Sequence, residues 1–350
     1  MVLINMLRYL LILNVFCTLA QAGPPTVRFN TNGFALRNGK PFFPIGLFTY
    51  SLDEKVISET HRLHFNTVTL LTEHHKPSLL DRVHKEKLMA VCPPGDDWVA
   101  VGTNHPAVLA WYLADEPEGH GFTPEGLKQK YQHLQALDPA HPVGLDHFLY
   151  EALEKFKDAC DFTMTSVYPI SLAPITHVGL FMDRARAIHG TNWPHWPYIQ
   201  IFGGPNTDGG KWKQPEPGEV RCMVYNALIH RANGMFYFSY WPQAPATWES
   251  VGVLNQEIEA IAPLLLAPGR EIEARSSLPE VQVRARELQG RKGGLVLLQN
   301  TVPEDRSVTI EIPQLPEKEL RSLFEKHRFK PTKRTFTEKL GPYATRAYRW

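Results

Sequence analysis

Cysteine is scarce in this chain: four in 350 residues, at Cys17, Cys92, Cys160 and Cys222. There is no CxxC pair and no Cys/His cluster at zinc spacing, so a disulfide scaffold and a structural zinc are both disfavoured, and buried free thiols are expected. Net charge is nearly absent as well, with 37 Lys and Arg against 36 Asp and Glu. Nucleic acid or an anionic membrane would call for a basic surplus or a Lys/Arg stripe, and neither partner is expected. The chain also lacks a GxGxxG or GxxxxGK[ST] turn, which removes the usual phosphate-binding motifs of nucleotide enzymes. No cofactor is implied.

What is present suffices for a large core: 43% of residues are hydrophobic and 11% aromatic. The length suits one large and one small domain. Residues 1–22 read as a secretory signal, with a short n-region ending at Arg8, an apolar stretch Tyr9–Phe16 and a small-x-small site at Ala20-Gln21-Ala22. The apolar run is short for a membrane span and is broken by Asn14. A secreted or periplasmic protein is expected, with no span left after cleavage. Loss of Arg8 balances the basic and acidic residues, so the mature chain is formally neutral.

From Val27 to Lys40 the residues alternate around Asn32-Gly33 and Asn38-Gly39, which predicts a β-hairpin. Eight apolar, β-rich runs follow: Phe43–Tyr50, Phe65–Leu71, Leu88–Pro93, Val108–Glu116, Pro142–His147, Phe162–Ile170, Tyr198–Gly204 and Gly234–Trp241. Helical patterns separate most of them, one opening with Thr123-Pro124-Glu125, a cap, an N1 proline and an early acid. Alternation of this kind argues for parallel pairing, and Lys40–Pro263 is near the ~250 residues of a (β/α)₈ barrel. From Leu264 onward short alternating strands joined by Gly, Pro and acidic turns predict an antiparallel β-sandwich. The expected organisation is therefore an α/β chain with a signal (1–22), a hairpin plus (β/α)₈ TIM barrel (23–265) and a small C-terminal antiparallel β-sandwich (266–350).

Function in such barrels gathers at the C-terminal ends of the strands. Those ends hold Tyr50, Glu73-His74-His75, Cys92, Asp115-Glu116, Asp146-His147, Tyr168, Gln200 and Trp241, a polar and aromatic ring suited to a neutral polyhydroxylated ligand. Asp115-Glu116-Pro117-Glu118 stands out. Two adjacent carboxylates at a buried strand end raise each other's pKa, and a carboxyl kept protonated near neutrality is what a general acid requires. The alternative is a helix cap at Asp115 with Glu116 and Glu118 solvated. Trp98, Trp193, Trp196, Trp212, Trp241 and Trp248 fall in or beside segments that follow strands, where indoles can stack on sugar rings or simply pack loops. His74-His75 and His195 have no third ligand at a diagnostic spacing, so no metal site is assigned.

Gly39-Lys40-Pro41-Phe42-Phe43-Pro44-Ile45-Gly46, Asp115-Glu116-Pro117, Tyr168-Pro169 and Tyr240-Trp241 together resemble the clan A (β/α)₈ glycoside hydrolases. The resemblance implies cleavage of O-glycosidic bonds in a largely neutral oligo- or polysaccharide. It places the acid/base on Glu116, a substrate-contacting role on Asp115, a residue beside the nucleophile at Tyr168 and a sugar-subsite ring at Trp241. Clan members carry a nucleophilic Glu at the end of the seventh strand, and that run here, Tyr198–Gly204, offers Gln200 and no carboxylate. Three readings follow: another carboxylate serves, with Asp146 better placed than Asp208 or Glu73; water attacks with inversion; or the barrel has kept sugar binding and lost hydrolysis. Tyr50, Glu73, His147, Tyr168, Gln200 and Trp241 are the candidate substrate contacts.

Overall fold

The structure is a computed structural model that describes residues 25–71, 75–291 and 293–350. The signal expectation at 1–22, and Glu73 with His74, lie outside the described residues.

The chain opens with a three-stranded antiparallel meander, β1 Val27–Phe29, β2 Ala35–Arg37 and β3 Lys40–Phe42, one strand more than a hairpin. Asn38 and Gly39 both take positive φ (49° and 75°), the backbone that a tight two-residue hairpin turn demands.

Eight parallel strands then close a barrel: β4 Ile45–Phe48, β5 Thr67–Thr69, β6 Met89–Cys92, β7 Val108–Ala114, β8 Val143–His147, β9 Phe162–Thr165, β10 His195–Gln200 and β11 Met235–Phe238. Closure comes from β11 pairing with β4, where Phe236 lies opposite Gly46. Helices α1 Glu54–Arg62, α2 Leu79–Lys85, α3 Asp96–Gly102, α4 Pro124–Leu137, α5 Tyr150–Lys155, α6 His177–His189, α7 Pro217–Ile229 and α8 Pro245–Leu266 follow the strands in order. The caps are legible: Asp53 accepts from Val56 N at 2.9 Å, and Thr123 from Gly126 N ahead of the N1 proline.

Aromatic rings fill the barrel. Trp196 stacks on Phe236 with centroids 5.6 Å apart, and Phe162 leans on Trp196 at 4.2 Å. Glycine makes room for them, since a Cβ on Gly46 would lie 2.1 Å from the Phe236 ring and one on Gly144 2.4 Å from Phe162. Burying each such ring contributes roughly 1.5–3 kcal/mol. Trp196 is thus packed inside the barrel, not on its rim. Trp248 and Trp98 are also buried, and Trp193 stacks on His189 at 3.9 Å. Of the six tryptophans weighed as sugar platforms, these four serve packing.

The C-terminal strands β12 Gly269–Ile272, β13 Arg275–Ser276, β14 Val281–Leu288, β15 Gly294–Asn300, β16 Arg306–Glu311, β17 Leu320–Ser322, β18 Arg328–Phe329, β19 Thr335–Leu340 and β20 Thr345–Arg349 form a six-stranded and a three-stranded antiparallel sheet. Leu295, Leu297 and Ala347 share one core with apolar residues of α7 and α8. Arg221 of α7 adds a polar clasp, reaching Glu257 of α8 at 2.7 and 2.8 Å and Thr345 of β20 at 2.7 Å. Cys92, Cys160 and Cys222 are free and buried. Among the described residues no helix is long and apolar enough to cross a membrane, and no group of three or more His, Cys, Asp or Glu could hold a metal ion.

Candidate active site

The mouth of the barrel is formed by the C-terminal ends of β4–β11. At the end of β7 the register against β8 shifts between Tyr112 and Ala114, a bulge-like irregularity that re-aims the residues beyond it. Just past it Asp115 is exposed, and one of its carboxylate oxygens accepts from Tyr112 Oη, inside the barrel, at 2.8 Å. Glu116 follows with φ of 40°, a backbone that side chains rarely take, and stands partly buried on the rim. Burial, and then the negative charges of Asp115 and Glu118, push the Glu116 carboxyl up to about 7, with His120 opposing. His120 Nδ1 sits 3.0 Å from the carbonyls of both Asp115 and Glu116. Those contacts raise its pKa.

Glu118 is not solvated. It accepts from Phe148 N at 2.7 Å and Leu149 N at 3.0 Å, and His147 Nδ1 lies 3.1 Å from its other oxygen. Burial alone would raise its pKa, but the His147 and backbone hydrogen bonds outweigh it and hold the carboxyl below its ordinary value. Glu118 therefore ties the loop after β7 to the loop after β8 while keeping a negative charge near Glu116. Glu118 entered the sequence reading only as a solvated acid of the Asp115–Glu118 run, and His120 did not enter it.

Asp146 faces inward from β8 and is fully buried. Ser166 Oγ donates to one of its oxygens, and the other has no partner among the described residues. Burial, and then the charge of Asp115, lift its carboxyl well above the usual range. Its carboxyl is thus biased toward the protonated form beneath the mouth. Tyr168, linked by a side-chain hydrogen bond to Ser166, lies close enough for the charges of Asp146 and Glu116 to raise its own pKa after burial does so. His147, the next residue, points the other way. Its ring stacks on Phe156 at 6.0 Å and it is 1% exposed, so it braces Glu118 from behind the barrel wall rather than facing a ligand.

Gln200 occupies the end of β10, where the resemblance calls for a nucleophile. Its Oε1 accepts from Ile170 N at 3.1 Å, and its Nε2 donates to the carbonyls of Phe202 at 3.4 Å and Lys213 at 3.3 Å. The side chain is wholly buried and brackets the loops after β9 and β10 together, leaving none of its groups for substrate. Gly203 (φ 152°) lets the second of these loops close, because a Cβ there would lie 2.4 Å from Lys213 O.

Around this floor runs an aromatic rim. Tyr168 stands 5.0 Å from Phe202, 5.9 Å from Trp212 and 5.6 Å from Phe238, and Trp241 is 6.5 Å from Phe202. Tyr50, half exposed, rests edge-on to Phe48 at 5.3 Å and hydrogen-bonds to Ser239, near enough to Asp115 to feel its charge. Asp115, Glu116, Asp146, Tyr168 and Tyr50 are thus brought together by interactions that link each to another, and Trp241 joins them through the rim.

No family model and no curated protein sequence matches this chain. Solved structures do. A glycoside hydrolase family 5 protein from Bacteroides vulgatus superposes with a TM-score of 0.65 over 93% of this chain and 92% of its own, at 12% identity. The chain has the fold of known glycoside hydrolases. A GH30 endoxylanase from Clostridium papyrosolvens gives a TM-score of 0.57 at 12% identity, covering 93% of this chain and 97% of that one. An Anoxybacillus α-amylase gives 0.61 at 10% identity, covering 88% and 97%. Within that glycosidase fold, the rim of β7 is where this chain gathers its carboxylates, and the end of β10 is where it has none.

Proposed function

We propose that this chain is an exported glycoside hydrolase that cleaves O-glycosidic bonds of a neutral oligo- or polysaccharide, with Glu116 as general acid. The observation that carries this reading is the Glu116 carboxyl held protonated up to about pH 7 at the rim of the barrel. The likeness in fold to known glycoside hydrolases supports the same reading by analogy. In the step proposed, Glu116 gives its proton to the glycosidic oxygen as the bond to the anomeric carbon breaks. Asp115, exposed in the mouth and oriented by Tyr112, is the partner carboxylate: it either bonds to the anomeric carbon and is then displaced by water, or takes a proton from the water that attacks directly. Asp146 is less suited to that role because it is fully buried and its pKa is raised, which disfavours the ionised form that an attacking or proton-accepting carboxylate needs.

The choice of a neutral glycan rests on the mouth itself. Its carboxyl groups would repel a uronate or sulfate, while Tyr50, Tyr168, Trp212 and Trp241 offer the flat apolar faces on which sugar rings stack. Purified protein incubated with a panel of neutral plant, algal and animal polysaccharides tests the reading. Reducing ends should appear, and the anomer of the first product, read by NMR, distinguishes attack by Asp115, which retains configuration, from attack by water, which inverts it. Saturable binding with no turnover on any member would replace the hydrolase with a carbohydrate-binding barrel.

A further inference from the structure

At the end of the barrel away from the mouth, a cavity of about 260 Å³ opens between three parts of the fold: the β1–β2 turn at Asn32, the loops leading into β10 and β11, and the first strands of the sandwich. Five guanidinium groups line it, those of Arg186, Arg231, Arg270, Arg284 and Arg286, with a single carboxylate, Glu271. Arg186, Arg284 and Arg286 are each more than nine-tenths buried. Glu271 takes Arg284 at 2.7 and 2.9 Å and Arg286 at 3.3 Å, Arg186 reaches Asp183 at 2.9 Å, and Arg270 pairs with Glu287 at 2.7 Å. Arg231 takes part in none of these pairs. Five positive groups thus face three carboxylates, an excess of two charges.

The donors tell the same story. Among the described residues Nε and Nη1 of Arg186 and Nε of Arg286 have no acceptor, although all are buried. Arg231 and Arg284 both lie near enough to Arg186 to weaken its hold on its proton, after burial has done so. Buried guanidinium groups that repel one another and keep unfilled N–H donors are costly unless an acceptor fills the space between them. Planar forks of N–H groups match the oxygens of a tetrahedral oxyanion.

We propose that this cavity binds phosphate or sulfate through Arg186, Arg231 and Arg286, and that the bound anion pins the sandwich to the base of the barrel. The site lies at the far end from Glu116 and is independent of the proposed hydrolysis. Calorimetric titration of the full chain with inorganic phosphate, inorganic sulfate, glucose 6-phosphate and glucose 6-sulfate, against chloride at equal ionic strength, tests it. One-to-one saturable binding above the chloride control is expected. A tighter ester assigns the cavity to a sugar-borne group, and a free ion that binds as well or better assigns it to the ion alone. Arg231→Gln should weaken binding about tenfold or more, the effect of one charged hydrogen bond, and should leave the protein at least as stable in anion-free buffer because repulsion is relieved. Arg186→Gln should weaken binding too; if it fails to fold, Arg231→Gln decides. No saturable binding beyond chloride, or binding unchanged in Arg231→Gln, overturns the proposal.

Discussion

Replacing Glu116 by Gln should do two things at once: stop turnover and make the protein more stable in mild alkali. The folded carboxyl has a pKa of about 7 against an ordinary 4.5. Stability tied to the protonated form is therefore complete below about pH 4.5 and is lost as the pH rises through about 7. At 1.36 kcal/mol per unit that rise corresponds to about 3.4 kcal/mol, and about 2–3 kcal/mol remains after allowing for solvent on the exposed side of the group. Glutamine mimics the protonated acid at every pH, so the variant keeps this contribution where the parent loses it. Denaturant unfolding at pH 5 and pH 8 measures most of the difference, because a small part is already lost at pH 5: the variant should gain about 1.5–2 kcal/mol on the parent between the two. On a glycoside with a poor leaving group kcat should fall roughly 10²–10⁴-fold. An activated aryl glycoside, which needs little protonation, should lose far less. Equal stability at pH 8, or an unaltered rate on the poor leaving group, refutes the assignment of Glu116 as a protonated acid.

Glu118→Gln removes one of the negative charges that hold Glu116 up, so the alkaline fall of kcat/KM should move to lower pH; a limb that stays in place or moves upward counts against the carboxyl cluster. Asp146→Asn should keep the rate within about tenfold and raise stability at neutral pH: a carboxyl whose folded pKa is raised loses stability as the pH climbs above its ordinary ~3.9, and the amide does not. A drop of several orders of magnitude would instead make Asp146 the second carboxylate, as strand position alone suggests. Gly46→Ala drives a methyl group to 2.1 Å from the Phe236 ring and should cost about 3 kcal/mol, read as a fall in the denaturant midpoint without a change in slope.

Barrel strands were legible because parallel strands are buried on both faces and read as unbroken apolar runs; β7 and β8 have no exposed residue at all. Strand β10 was framed three residues late, since Pro197 looks like a stop, yet it sits in the strand opposite Thr165. The 22-residue α8 escaped notice because it is apolar on most sides, packed between the barrel and the sandwich. At the site, Glu116 was visible as one of two adjacent carboxylates before a proline. Glu118 was not, because what defines it is bonding to residues 29 to 31 positions further along. Tryptophans misled for a related reason: a position after a strand does not reveal whether the indole turns toward solvent or, like Trp248 toward Glu59, back into the wall.

The Gln200 bracket bears on how this site can change. A single base change could turn Gln200 into Glu and supply, on paper, a carboxylate that the β10 end lacks. In place of an amide that donates to two carbonyl oxygens, however, it would set a negative oxygen against Phe202 O and Lys213 O at a position that is wholly buried. The loop after β10 would have to lift before such a residue could ionise. Gln200→Glu alone would therefore place an acid here that the surrounding carbonyls disfavour ionising, and a working carboxylate at this position would need the loop and the residue to change together.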